Sequence, residues 1–265
     1  MINPYVVGMD WLFVCIAAFL ASGLTLFSGF GLGTILMPVV AIFFPVPVAV
    51  AITAIVHLLN NLFKLGLLWR SVDRRMLLAF GFPALIAAIP GALLLDYLSV
   101  LEPITSYSLF DQEHSVTPVK LAAGFLLILF ATADLFPLLN RLTKHHLGLS
   151  IGGMLSGFFG GLSGHQGAFR SAFLVKADLD KEAFVATNAA IAALVDTSRI
   201  IIYGLTFNIA LIEAQSTLIV LATIAAFLGV FLGTKLLKKV TIAFIQRLVA
   251  TMLYFLGALL IAGII

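Results

Sequence analysis

The sequence predicts an all-α integral membrane protein, an inverted-topology repeat in which each half is a re-entrant or broken helical hairpin followed by three transmembrane helices. Of its 265 residues, 62% are hydrophobic and 10% are charged, whereas soluble globular domains average about 25% charged residues. The apolar residues form several runs of about 20 or more, the length that crosses about 30 Å of hydrocarbon. A serine, a glycine-rich break and an apolar continuation occur twice, at 27–38 and 162–173. The composition therefore assigns the chain to the membrane, and the repeated pattern divides it into two halves.

The first half, residues 1–140, opens with an apolar segment that is too long for one membrane crossing. Its apolar stretches 11–27 and 34–44 are separated by a glycine-rich stretch at 29–33. As one straight helix the segment would measure about 50 Å at 1.5 Å per residue. We therefore expect a helical hairpin here. The predicted elements of this half are the hairpin 11–44 and the spans 46–69, 76–98 and 118–139.

The second half, residues 141–265, repeats this layout. Its hairpin is predicted over 147–175, with the break at 160–167. The remaining predicted elements are the spans 181–203, 209–236 and 241–265.

The two halves align at an offset of 134 or 135 residues. The larger offset places Ser28 opposite Ser163 and Lys64 opposite Arg199, and the smaller one places Gly33 opposite Gly167. Because each half contains three spans, an odd number, the second half must enter the membrane upside down. This arrangement is an inverted-topology repeat.

The distribution of basic residues favours hairpins and orients the chain. Of the 15 Lys and Arg residues, Lys120 alone falls on one side of the predicted topology, and Lys64, Arg170 and Arg199 lie inside hydrophobic segments. The other side receives the remaining eleven, Arg70, Arg74, Arg75, Arg141, Lys144, Lys176, Lys181, Lys235, Lys238, Lys239 and Arg247. Cytoplasmic loops collect Lys and Arg. We therefore expect a multi-pass protein of the plasma (inner) membrane, with both termini and the acidic loop 99–117 on the outer, periplasmic side.

The two glycine breaks predict a binding site for an anion. Hairpins that enter from opposite faces would bring their breaks together near the midplane, where non-helical backbone must line a cavity or be buried in protein. The short return helices begin there, so the first amides of 33–36 and 167–170 lack intrahelical acceptors. These amides also carry the positive end of the helix dipole. Both breaks would thus offer hydrogen-bond donors to an anion.

Arg170 follows the second break and strengthens this prediction. A guanidinium at mid-membrane costs about 2.5 to 3.5 kcal/mol and needs a partner. We predict that Arg170 contacts the anion; an ion pair with Asp196 is the alternative, and the two are not exclusive. The residues predicted to bind the substrate are Ser28, Gly31, Gly33, Thr34, Ser163, His165, Gln166, Gly167, Arg170 and Asn188.

Several further polar residues of the hydrophobic segments have two interpretations. His57 and His165 lie near the predicted midplane, and histidine titrates between pH 5 and 8. Either histidine is therefore a candidate for proton coupling, and Asp196 is a third candidate. Each histidine also fits a hydrogen-bonding role without coupling. Lys64 and Arg199 are candidate gate or vestibule cations, although snorkelling explains a cation near a helix end. Small-residue packing between helices is expected at Gly153 and Gly157, which are four residues apart.

Two stretches carry a resemblance to a known family. SGFGLGTILMP in the first half and GLSGHQGAFRSAF in the second resemble the paired signatures of the TauE/SafE family of sulfite and organosulfonate exporters. The resemblance implies an inverted repeat and a small sulfur oxyanion or sulfonate as substrate, such as sulfite, sulfoacetate or taurine. Ala172 stands where the first half has Pro38 and the family often has proline, which implies a less rigid helix start there.

The expected function is thus secondary transport of a small anion. We expect the protein to export the anion by alternating access and to couple this export to protons. A passive anion channel is one alternative. A membrane enzyme is another, but the 12 acidic residues lie mostly in loops and form no paired-carboxylate motif, so no enzyme activity is expected. No cofactor, metal or nucleic acid is expected. The preferred anion, the direction of transport and the oligomeric state stay open, with a homodimer as one alternative.

Overall fold

The computed structural model describes residues 6–28, 31–109, 111–135, 148–177, 179–207, 209–236 and 241–265, and these are mostly α-helical. The helices are α1 (Val6–Ser28), α2 (Leu32–Ala41), α3 (Val46–Leu68), α4 (Arg74–Ser99), α5 (Pro118–Leu135), α6 (Leu149–Ser163), α7 (Gly167–Leu174), α8 (Lys181–Thr206), α9 (Ile209–Glu213), α10 (Ser216–Leu236) and α11 (Ile242–Ile261). By length and composition, α3 with its extension to Ser71, α4 and α8 are long and apolar enough to cross a membrane. The predicted class of a helical membrane protein is confirmed.

Both predicted hairpin segments fold back on themselves. The rings of Phe13, in the first half of α1, and Phe43, just after α2, stack with their centroids 6.3 Å apart. In the second segment, Gly152 at the start of α6 lies against the ring of Phe173 at the end of α7. The ends of each hairpin are therefore close together, and each break forms its tip.

Some of the predicted span boundaries differ from the observed helices. The span predicted at 209–236 is two helices, the short α9 and then α10. The break predicted at 160–167 is shorter, because α6 continues to Ser163 and α7 begins at Gly167. The end of the span predicted at 118–139 lies outside the described residues, which stop at 135 before resuming at 148.

Helix α4 contains a π-helical stretch, Leu77–Gly81, just before Pro83. Proline has no N–H, so it cannot donate to the carbonyl four residues earlier. That carbonyl belongs to Ala79, and it accepts a hydrogen bond from Ser150 Oγ of α6 at 3.2 Å instead. A neighbouring helix therefore satisfies the backbone group that the proline releases.

The polar segment 99–117, expected to be a loop, contains a β-hairpin. Strand β1 (Thr105–Leu109) pairs antiparallel with β2 (Gln112–Val116). Tyr107 donates its hydroxyl hydrogen to the Ala262 carbonyl at 2.5 Å, and Lys120 Nζ donates to the Gly263 carbonyl at 3.2 Å. The hairpin thus packs over the end of α11. The sequence did not reveal these strands because most of their residues are exposed and polar, without the apolar alternation that a buried face produces.

The helices associate in four main pairs: α1 with α10, α4 with α6, α3 with α8 and α5 with α11. In the α4–α6 pair, Gly153, Gly157 and Gly161 lie directly against the backbone carbonyls of Phe80, Ala84 and Ala88. A side chain at any of these glycines would collide with backbone. The packing role predicted for Gly153 and Gly157 therefore holds, and it extends to Gly161.

Candidate functional site

The two glycine breaks are in contact. Gly31 has a φ of 86°, a conformation that residues with a side chain rarely adopt, and a Cβ on it would lie 3.9 Å from the Cα of Gly167. A Cβ on Gly33 would lie 3.2 Å from the carbonyl oxygen of Gly164. The backbones approach this closely because glycine occupies all four positions. The structure therefore brings together two segments that are more than a hundred residues apart in the chain.

Fewer backbone amides face this contact than the sequence predicted. The Thr34 amide donates to the Gly31 carbonyl at 3.2 Å, and the Arg170 amide donates to the Gln166 carbonyl at 3.2 Å. Both amides are thus satisfied within their own turn and are not available to a ligand. Helices α2 and α7 begin at Leu32 and Gly167, so the earliest amides of each helix, which precede the two satisfied amides, have no acceptor four residues earlier within the helix.

Arg170 is fully buried beside the two breaks. Its Nε donates to Asn188 Oδ1, and its Nη1 donates to Gln166 Oε1 at 2.9 Å. The Nη2 atom lies 3.8 Å from the position that a Cβ atom would occupy if Gly31 had a side chain, so it faces the first break. These hydrogen-bond acceptors are neutral amides. They orient the guanidinium but do not neutralise its charge.

Asp196 is the centre of a hydrogen-bonded network. Its Oδ1 accepts from Gln166 Nε2 at 3.1 Å and from Arg199 Nε at 3.0 Å, and its Oδ2 lies 2.6 Å from His57 Nδ1. Arg199 Nη2 is 2.8 Å from the same Oδ1. The carboxylate thus pairs with Arg199 and His57, whereas Arg170 reaches it only through Gln166. The network connects α3, the second break and α8.

His57 presents one ring nitrogen to Asp196 and the other to the first break. A carboxylate only accepts hydrogen bonds, so Nδ1 carries the hydrogen in this contact. The Nε2 atom lies 3.5 Å from the position of a Cβ on Gly31. Since Arg170 Nη2 lies 3.8 Å from the same position, a histidine nitrogen and a guanidinium nitrogen from the two halves converge on one point beside Gly31.

A comparison with known protein families identifies the chain. The model of the family described as "Sulfite exporter TauE/SafE" matches residues 14–260. The chain belongs to the TauE/SafE family. Neither a curated protein nor a solved structure matches it. Membership in the TauE/SafE family, together with the apolar helices, identifies this as a multi-pass membrane protein of a transporter family.

In this TauE/SafE protein, the second candidate histidine has a different environment. His165 is buried, and its Nδ1 lies 2.9 Å from the Ser163 carbonyl. Its ring stacks on Phe130 of α5 with a centroid distance of 5.7 Å and an interplanar angle of 9°. Phe130 also forms T-shaped, edge-to-face contacts with Phe159 and Phe169. His165 therefore belongs to an aromatic cluster that holds the second hairpin against α5.

The two candidate gate cations are not equivalent. Arg199 has no exposed surface and donates to Asp196 and, through Nη1 at 3.3 Å, to the Gly160 carbonyl. Its burial excludes snorkelling to a membrane surface. Lys64 lies about two turns beyond His57 on α3, is 8% exposed, and forms no salt bridge within the described part of the chain.

Of the other predicted binding residues, Ser163 and Thr34 are buried within their own hairpins, and Asn188 holds Arg170. Ser163 Oγ donates to the Phe159 carbonyl at 3.1 Å. The side chain of Ser28, the last residue of α1, is outside the described residues.

Two polar residues near the site were not singled out as site residues from the sequence. Asn60, one turn beyond His57, accepts a hydrogen bond from Ser22 through Oδ1, and its buried Nδ2 has no partner among the described residues. Tyr203, one turn beyond Arg199, donates its hydroxyl hydrogen to the Gly161 carbonyl and stacks on Phe207 with centroids 4.8 Å apart. The available signal was helical spacing: both residues follow a site residue by three or four positions on the same helix face.

Proposed function

We propose that this protein is a secondary transporter that exports a small sulfur oxyanion or organosulfonate, such as sulfite, sulfoacetate or taurine, by alternating access. One observation carries the proposal: the buried side chains of Arg170 and His57 direct Nη2 and Nε2 at the same point beside Gly31, at the contact of the two breaks. The substrate anion would bind there, between the hairpin tips. Membership in the sulfite exporter family supports this class of substrate.

The charges around the breaks support an anionic ligand. Among the described residues, Lys64, Arg170 and Arg199 are buried cations, whereas Asp196 is the buried acid of the cluster. Asp196 is already paired with Arg199 and His57. A buried charge without a counter-charge is costly. Among the residues that the structure describes, the hydrogen-bond acceptors of Arg170 are amide oxygens. An anion at the breaks would supply the missing counter-charge.

The helix pairing supports division into two inverted repeats, 1–140 and 141–265. With an offset of 134 or 135 residues, α1 corresponds to α6 and α4 to α10, so the α1–α10 and α6–α4 contacts are equivalent. The α3–α8 pair joins two helices that this offset makes equivalent, and the α5–α11 pair joins the last helix of each half. A pseudo-two-fold axis between the halves would produce this pattern. Alternating access would then result from movement of one half against the other around the breaks.

The contacts at the two ends of the helices support the proposed orientation. Near the basic loop after α3, the Asp73 amide donates to Thr187 Oγ1 near the start of α8 at 2.9 Å. At the opposite end, the β-hairpin contacts the last residues of the chain through the hydrogen bond from Tyr107 to the Ala262 carbonyl. We propose that the first end is cytoplasmic and that the second, with both termini, lies outside the inner membrane.

We assign proton coupling to His57 together with Asp196 rather than to His165. The Nε2 atom of His57 faces the proposed anion position, whereas the ring of His165 stacks in the aromatic cluster with Phe130. Lys64 and Arg199 remain proposed gate cations. Because Arg199 is paired with Asp196 and Lys64 has no salt bridge in the described residues, Lys64 is the better candidate for a first contact with the entering anion.

The membrane-enzyme alternative has little support in the structure. The sequence does contain one Gly-x-Ser-x-Gly pattern, GLSIG at 148–152, which is typical of serine hydrolases. Ser150 lies at the start of α6 rather than on a sharp turn after a strand, and its hydroxyl donates to the Ala79 carbonyl that Pro83 leaves free. Its hydrogen bond is explained by helix packing.

Binding and transport measurements test the proposal. Purified protein should bind sulfite, sulfoacetate or taurine more tightly than sulfate or acetate, and proteoliposomes should concentrate the preferred anion when a proton gradient is imposed. Accumulation against the anion's own gradient separates a transporter from a channel. Equal uptake with and without the proton gradient would favour the channel.

A further inference from the structure

We propose that the substrate anion and a proton bind together, the anion at Arg170 and the proton on His57 Nε2, so that both are carried in the same direction. This inference rests on the proposed function and deepens it, because an exporter of anions can either exchange protons for its substrate or carry the two together. The arrangement of His57, Asp196 and Arg170 favours the second mode.

The first step concerns which nitrogen of His57 gains and loses the proton. Asp196 Oδ2 lies 2.6 Å from His57 Nδ1, and the carboxylate accepts this hydrogen bond whether the ring is neutral or protonated. Nδ1 therefore keeps its hydrogen in both states. The ring changes its charge at Nε2, which faces the first break.

The second step concerns the charges around Nε2. Among the described residues, the charged groups that act on His57 are Asp196 and Arg199 from α8 and Arg170 from α7. Lys64 lies about two turns away on the same helix as His57. Within the part of the chain that the structure describes, Asp196 is compensated by Arg199. With the site empty, a proton on Nε2 therefore creates a cation beside the guanidinium of Arg170, and the two repel each other.

The third step adds the anion. Nε2 of His57 and Nη2 of Arg170 lie 3.5 and 3.8 Å from the position of a Cβ on Gly31, so an anion bound there contacts both. The anion then attracts the proton, and the proton on Nε2 attracts the anion. Because binding free energies are reciprocal, each ligand raises the affinity for the other by the same factor.

This cooperativity determines the coupling mode. Exchange requires that the proton and the anion compete, so that binding of one expels the other. Here the favoured states are the empty site and the site that holds both ligands. A monoanion with one proton adds no net charge, so the loaded site moves through the membrane interior without carrying additional charge. Co-transport follows from these two loading states.

Isothermal titration calorimetry with methanesulfonate, which stays monoanionic throughout the working pH range, tests this directly. Titrations in two buffers of different ionisation enthalpy report how many protons the protein takes up with each anion. At high pH we expect proton uptake to approach one proton per anion. In the same pH range, the apparent affinity for methanesulfonate should fall about tenfold per pH unit. Zero uptake, or proton release, would overturn the inference.

Two variants assign the proton to a residue. His57→Gln can still donate to Asp196 but does not titrate, so it should bind methanesulfonate without proton uptake and with no pH dependence. His114→Gln, in strand β2 of the β-hairpin, is the matched control and should keep the proton uptake of the parent. Proton uptake retained in His57→Gln would refute the assignment, and if that variant does not fold, the parent titrations still decide between uptake and release. Failure of the parent to bind any sulfonate would overturn the proposed function as well, which distinguishes the two results.

Discussion

Arg199 and Asp196 form a fully buried ion pair across one turn of helix α8. Their closest atoms, Nη2 and Oδ1, are 2.8 Å apart, and neither side chain has exposed surface. A pair of this kind is strongly coupled, because removal of one partner leaves the other as an uncompensated charge in the protein interior.

The first prediction follows from this pair. Asp196→Asn should lower the free energy of unfolding by about 3 to 5 kcal/mol, because Arg199 loses its counter-charge. The double variant Asp196→Asn with Arg199→Gln should be less destabilised than the sum of the two single variants. Unfolding in detergent, followed for the parent, both single variants and the double variant, measures the coupling. Additivity within about 0.5 kcal/mol would show that the two residues are independent.

A second prediction concerns the proposed contact of Arg170 with the anion. A planar guanidinium can donate two hydrogen bonds to a sulfonate, which an ammonium group does not reproduce. Arg170→Lys should therefore weaken binding of the preferred sulfonate, and Arg170→Gln should weaken it further, by roughly ten- to a hundredfold. Arg247→Gln, at an exposed position on α11, is the control and should bind like the parent. Parent-like affinity in purified, monodisperse Arg170→Gln would limit Arg170 to a structural role.

The third prediction concerns the space between the breaks. Gly31→Ala introduces a methyl group at a φ of 86°, within 4 Å of His57 Nε2 and Arg170 Nη2. It should both strain the backbone and fill the proposed anion position, so binding should be lost even though Arg170 is intact. Larger side chains at Gly33 or Gly167 should have the same effect.

The control for this series is Gly66→Ala on α3, because a Cβ at Gly66 meets no other atom within 4 Å. This variant should bind and transport like the parent. The anion would have to bind elsewhere if Gly31→Ala retained parent affinity in a binding assay on folded protein.

A fourth prediction concerns orientation in the membrane. Single cysteines at Ser71, Thr143, Asp180 and Val240, in a Cys15→Ser background, should resist impermeant thiol reagents in intact cells, because these positions lie in the predicted cytoplasmic loops. A cysteine at the exposed Ser108 of β1 should react readily and serves as the positive control. Labelling of any two of the four loop positions would refute the proposed hairpin topology.

The sequence alone determined the features that depend on composition and on one-dimensional pattern. The apolar runs predicted a helical membrane protein, and the glycines at 29–33 and 164–167 predicted where two helices break. The four-residue spacing of Gly153 and Gly157 predicted close helix packing, which the carbonyls of Phe80 and Ala84 explain. These predictions held because hydrophobic length and the absence of a side chain act locally, whatever the rest of the chain does.

The tertiary structure alone decided which polar groups meet. The sequence offered Arg170 as the partner of Asp196, and the structure instead pairs Asp196 with Arg199 and with His57, which is 139 residues away in the chain. It also separated His57 from His165, since one faces the breaks and the other stacks on Phe130. Which donor reaches a buried carboxylate depends on the relative position of α3, α7 and α8, and this position results from packing of entire helices. The spacing of three residues on α8 permits the pair with Arg199, whereas no spacing within one helix encodes the distance to His57, so only the folded chain determines that contact.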